Sequence, residues 1–131
     1  MHYLTCRLFG RIRQHPLDEV LADFVGLLAA FGRYDADDAL AFLGLQAFPA
    51  IDPAGRLVNY TTSVISDAAT SVVAELIVLV ARRLESLTRQ RRLDTEDRRA
   101  LAGTVGALVS CSLEELAAAD GVSLTDRMEA C

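Results

Sequence analysis

Leu4, Leu8 and Ile12 recur at four-residue intervals with Phe9 beside them, and the run stops at Pro16, whose ring clashes with a continuing helix. A short first helix is expected there. Pro16 serves instead as the first residue of the next helix, where Asp18 and Glu19 complement the positive end of the helix dipole. Leu17, Val20, Leu21, Phe24, Leu27, Leu28 and Phe31 keep one face apolar until Gly32 offers a C-terminal stop. Asp35, with Asp38 three residues on, caps a third helix whose buried side carries Ala39, Leu40, Leu43 and Ala47 before Pro49 ends it. Asp52-Pro53 repeats the start signal.

From about residue 53 to residue 92 only Gly55 interrupts, and Val58, Ile65, Ala69, Val72, Val73, Leu76, Ile77, Val80, Leu84 and Leu87 follow the helical period. Residues 59–62 mark a weak point, because they are polar and partly β-branched. The centre, residues 72–80, is apolar nearly all round, as in a helix at the middle of a bundle or in a dimer interface. Asp94 or Thr95 starts a fifth helix carrying Leu101, Val105, Leu108 and Val109 inward. Ser112 and Glu115 form a capping box that opens a short sixth, ending at Gly121, with a last turn or two over residues 123–130. No stretch reads as a strand, repeat or linker. The expected fold is a single all-α domain over residues 1–131, a bundle of five to six helices with one long central helix at about 53–92.

Composition agrees. The 131 residues are 52% hydrophobic but only 6% aromatic with no Trp, so the core must be built from Leu, Val and Ala. All 13 basic residues are Arg, set against 18 acids for a net charge of −5, which argues against a general binder of nucleic acid. The charge is uneven: residues 82–99 hold seven Arg and four acids. Arg82, Arg83, Arg89, Arg91 and Arg92 are candidates for charge complementarity with a protein partner. Cys6, Cys111 and Cys131 have neither CxxC spacing nor a nearby His, which points to reduced thiols, a cytoplasmic location and no zinc site. The opening residues lack the apolar stretch of a secretory signal, and the apolar runs at 20–31 and 72–81 are too short for a membrane span and carry Asp23 and Glu75. A soluble protein with no membrane contact is expected.

Ser63, Asp67, Ser71, Glu75, Arg82 and Arg89 form a drifting polar stripe on the long helix. Glu75 lies within the most apolar stretch, where an ionised carboxylate needs a partner or a raised pKa. Three readings stay open: a carboxylate at the bundle edge paired with Arg, a polar contact fixing helix or subunit register, or, with Asp67, a functional acid. No P-loop, GxGxxG, GxSxG or HExxH occurs. His2 and His15 read as a solvated terminal imidazole and a pre-proline residue, and Cys111 as a packed thiol.

The run Leu116, Ala117, Ala118, Ala119, Asp120, Gly121, Val122, Ser123, Leu124, with Met128, Glu129 and Ala130, resembles the tail helix of the MazG-type nucleotide pyrophosphohydrolases. The resemblance implies an all-α enzyme acting on nucleotides with Mg²⁺ held by carboxylate clusters. The E-E-x-x-E and E-x-x-D clusters themselves are absent, since residues 73–76 supply Glu75 alone and residues 100–103 no acid, so no catalytic residue is carried over. Leu116, Ala117, Gly121, Val122 and Ser123 also resemble a helix-turn-helix, but Asp120 replaces an apolar residue and the recognition position holds Asp126 and Glu129 against Arg127.

The central helix is more apolar than one small bundle needs. The function expected is therefore a small non-catalytic adaptor or interaction protein without cofactor or metal, binding a protein partner or itself as a homodimer. Val72, Val73, Leu76, Ile77 and Val80 are its expected interface. A nucleotide pyrophosphohydrolase with a degraded metal site and a DNA-binding regulator are the alternatives.

Overall fold

A computed structural model describes residues 16–61, 65–91, 93 and 96–118. The expected helix at residues 4–12, the glycine of the helix-turn-helix and the last turns at 123–130 lie outside the described residues.

Helix α1 (Pro16–Phe31) begins on its proline and ends where Gly32, at φ 67°, returns its N–H to the Leu28 carbonyl at 2.9 Å. It buries Leu17, Val20, Leu21, Phe24, Leu27 and Leu28, the stripe that the period predicts. Helix α2 (Ala36–Leu43) is capped by Asp35, whose carboxylate accepts the N–H groups of Asp37 at 3.0 Å and Asp38 at 3.2 Å.

Helix α2 stops four residues short of the expected Ala47. Gly44 takes a left-handed φ of 82°, and a Cβ there would stand 2.7 Å from the Gly55 backbone. This close approach holds the two necks of the 44–55 loop together. The Gly44 carbonyl accepts from Asp52 N–H at 2.9 Å, and Leu43 and Leu57 share a backbone hydrogen bond at 3.3 Å.

The same loop corrects the long central helix, which does not run from residue 53. The Asp52 carboxylate accepts the Ala54 N–H at 2.9 Å in a local turn, and Gly55 is pinned against Gly44. Only one turn, α3 (Val58–Thr61), forms over most of the weak stretch, and Ile65 and Ser66 stand outside any helix. Thr61 turns its hydroxyl back onto the Leu57 carbonyl at 3.3 Å. Ser66 then accepts the Ala69 N–H through its hydroxyl at 3.3 Å, and α4 runs over Asp67–Arg91.

Helix α5 (Arg98–Val109) starts from Asp97, not from Asp94 or Thr95, because the Asp97 carboxylate reaches Arg99 and Ala100 N–H at 3.1 and 3.0 Å. The expected capping box opens α6 (Leu113–Ala118): Ser112 N–H meets Glu115 at 2.8 Å and Glu115 N–H meets the Ser112 hydroxyl at 3.1 Å.

The described residues form an all-helical bundle of six helices without strands. Helix α4 is its axis, with α1, α2 and α6 packed on it, while α1 also contacts α2 and α5. Ala74, Ile77, Val80, Ala81, Leu84 and Leu87 of α4 meet Phe24 and Leu28 of α1, Leu40 and Leu43 of α2, and Leu113 and Leu116 of α6 in one core. Among the described residues no helix is long and apolar enough to cross a membrane.

Candidate functional site

The core takes one side of α4, and the residues left on its rim follow a second repeat. Val72 is 58% and Leu79 44% exposed, and Ile65, in the bend before the helix, is exposed as well. These three stand seven residues apart, with half-buried Leu76 between the last two. A seven-residue spacing with an apolar residue four positions after the first member is the seam along which two helices interlock.

This arrangement redraws the expected interface. Val72 is exposed, and Val73 and Leu76 lie half-buried at the rim. Ile77 and Val80 are fully buried in the protomer's own core, so neither is available to a partner without opening the bundle. Leu79 belongs to the exposed row and is not among the expected residues; its spacing from Val72 and Ile65 is the signal that finds it. The physical reason is that residues 72–80 are apolar around nearly the whole helix, so composition alone does not say which sector faces inward.

Glu75 is exposed beside this row, so its carboxylate stays in water despite the apolar stretch around it. Asp67, in the first turn of α4, is also exposed. Eight residues of helix separate the two acids by about 12 Å, too far for one cation to be shared. Among the described residues no three His, Cys, Asp or Glu side chains are grouped to hold a metal ion.

The arginines of the same helix divide between roles. Arg82 meets the Asp37 carboxylate at 2.5 Å, which holds the guanidinium more firmly in its charged form. Arg89 meets Glu85 at 3.2 Å, one turn back, and Glu85 in turn accepts the Ala36 N–H at 3.3 Å at the start of α2. Arg83 and Arg91 are half-buried, and Arg92 lies outside the described residues. Cys111 is buried with its thiol on the Ala107 carbonyl at 3.4 Å, a packed thiol as expected.

A second polar group escaped the sequence reading. Glu19 and Asp23 lie one turn apart on α1, and Arg56 reaches both: Nη1 to Glu19 at 3.3 Å and Nη2 to Asp23 Oδ1 at 2.6 Å. Arg56 also donates to the Phe42 carbonyl at 3.4 Å, with its guanidinium 6.0 Å from the centre of the Phe42 ring. Burial pushes the Asp23 carboxyl above its ordinary value, and the Arg56 charge only partly offsets this. Tyr60 is raised by burial and by donating its hydroxyl proton to Glu19. Two carboxylates already held by one guanidinium and a phenol are poorly placed to move protons; the cluster clasps the 44–60 segment onto α1. Its signal is two acids spaced by four on a helix whose neighbours, Val20 and Phe24, face the core.

No curated protein and no solved structure matches the chain. One family pattern does, over residues 1–120, and on that extent the chain belongs to the family of unknown function DUF7005.

Proposed function

We propose that this chain is a small non-catalytic adaptor of the cytoplasm that works by binding protein, and that its first partner is a second copy of itself held through α4. The observation that supports this is the pair Val72 and Leu79, exposed seven residues apart on a helix whose other side builds the core, with Ile65 exposed just before it. Exposed apolar side chains scattered singly need no explanation, but a row in register is a surface matched to another helix. Burying one such side chain fully gains about 1.5–3 kcal/mol, so a few of them together drive association in the micromolar range. Arg82 and Arg89, exposed on the same helix, supply charge complementarity at its edge.

Sedimentation equilibrium of the full chain tests the reading. The wild type is expected to sediment as a dimer, and Leu79→Arg, which puts a charge in the row without touching the core, as a monomer with unchanged helicity. A wild type that stays monomeric at tens of micromolar overturns the reading.

A further inference from the structure

The exposed row of α4 carries a charge pattern that complements itself when reversed. With Val72 and Leu79 taken as one line of the seam, Leu76 and Arg83 form the other, in alternating steps of four and three residues. Glu75 and Arg82 then occupy equivalent flanking positions one repeat apart, both exposed and both on the side away from the core. The opposite flank is closed to a partner, because its residues Val80 and Leu87 are buried in the protomer.

The geometry points to an antiparallel two-fold pairing of α4 with α4 of a second copy, centred between Leu76 and Leu79 and locked by Glu75 of each copy against the partner's Arg82. This rests on the self-association proposed above and assigns its orientation and register. A two-fold interface is self-complementary: whatever residue i meets on the partner, that residue's counterpart meets the partner's residue i. Centring the axis there sets Leu76 against the partner's Leu79 twice, Val72 against the aliphatic stem of the partner's Arg83, and Ala69 against the partner's Ser86. Glu75 and the partner's Arg82 then fall two residues from level, about 3 Å along the helix and within reach of an arginine side chain. A parallel pairing would instead turn the flank of Glu75 and Arg82 towards the partner's opposite flank, where Val80 and Leu87 are buried, so neither charge would meet a charged partner. The existing pair of Arg82 with Asp37 is no obstacle, since both side chains are about half or more exposed and such pairs are weakly held.

The test uses charge reversal and mixing in the full chain. Glu75→Arg and Arg82→Glu are each expected to weaken the dimer by roughly tenfold or more, because two attractions become two repulsions. Both positions are exposed, so circular dichroism should show the helicity of the wild type. Mixing the two variants restores an opposite-charge pair at both contacts: the arginine introduced in one chain faces the glutamate introduced in the other, and the unaltered Arg82 of the first faces the unaltered Glu75 of the second. A one-to-one heterodimer of near wild-type affinity is therefore expected. A wild-type dimer that both reversals leave intact, or two weakened variants that do not associate on mixing, overturns the register while self-association stands. A monomeric wild type overturns both.

Discussion

Removing the guanidinium of Arg56 should expose how much the clasp on α1 holds. Arg56→Met keeps most of the aliphatic stem and takes away the charge that Glu19 and Asp23 share at 3.3 and 2.6 Å. The carboxylates left behind have little water, with side chains 5% and 11% exposed. A fully buried charge stripped of its partner costs about 3–5 kcal/mol; the Arg56 side chain is 42% exposed, so screening brings the expected loss to about 2–3 kcal/mol at pH 7. Without Arg56 the Asp23 carboxyl, already raised by burial, loses the charge that offsets the rise and moves further above its unfolded value. A group whose folded pKa is raised adds stability below the unfolded value and loses it as pH climbs through the folded one. The deficit of the variant should therefore be largest at neutral pH and shrink towards about pH 4, as the orphaned Asp23 takes up a proton. Urea unfolding followed by circular dichroism at several pH values measures it. Adding Asp23→Asn to the variant should recover part of the loss at pH 7. A deficit under about 0.5 kcal/mol at pH 7, or one that does not shrink in acid, would refute the clasp.

Three further expectations follow from the packing. Gly55→Ala places a Cβ 2.5 Å from the Leu43 carbonyl oxygen and 2.7 Å from the Gly44 nitrogen, both backbone atoms, and should cost about 1–3 kcal/mol in thermal or urea unfolding. Ile77→Ala opens the core and should cost about 2–5 kcal/mol, whereas Val72→Ser, on the exposed row, should leave protomer stability within about 0.5 kcal/mol and act only on self-association, measured by sedimentation. Tyr34 is buried against Phe24, with ring centres 5.2 Å apart and a hydroxyl that finds no hydrogen-bond partner among the described residues. Tyr34→Phe should therefore raise stability by about 1 kcal/mol, and a loss on unfolding would show that the hydroxyl is satisfied after all.

What could be read from the chain alone is local. Pro16, Gly32, Asp35 and the Ser112–Glu115 box act within a few residues of themselves, and each sits where its chemistry predicts. The contact between Gly44 and Gly55 is not local. Gly44 ends α2 as a left-handed cap, but its contact with Gly55, eleven residues on, is what keeps the long helix from starting at residue 53. The rim of α4 was legible only in part, for a related reason. A helix apolar around most of its circumference leaves the inward direction to its neighbours, so Ile77 and Val80 fell to the core and Leu79 to the surface. Glu19 shows the same limit. The helix dipole accounts for an acid in the first turn, but the arginine that meets it lies thirty-seven residues away in sequence.

The Gly44–Gly55 contact also governs which changes of length the chain tolerates. The loop it closes behaves as a bag with a drawn string: the neck has one fixed width, and residues 42–44 and 55–57 must arrive in step for Phe42, Leu43 and Gly44 to meet their backbone partners Arg56, Leu57 and Asp52. Insertions belong at the exposed residues 49–50, beyond the half-buried Phe48, where added residues lengthen the bag without moving its mouth. A single residue gained or lost at the neck would shift Arg56 off Glu19 and Asp23 and undo the clasp from a distance.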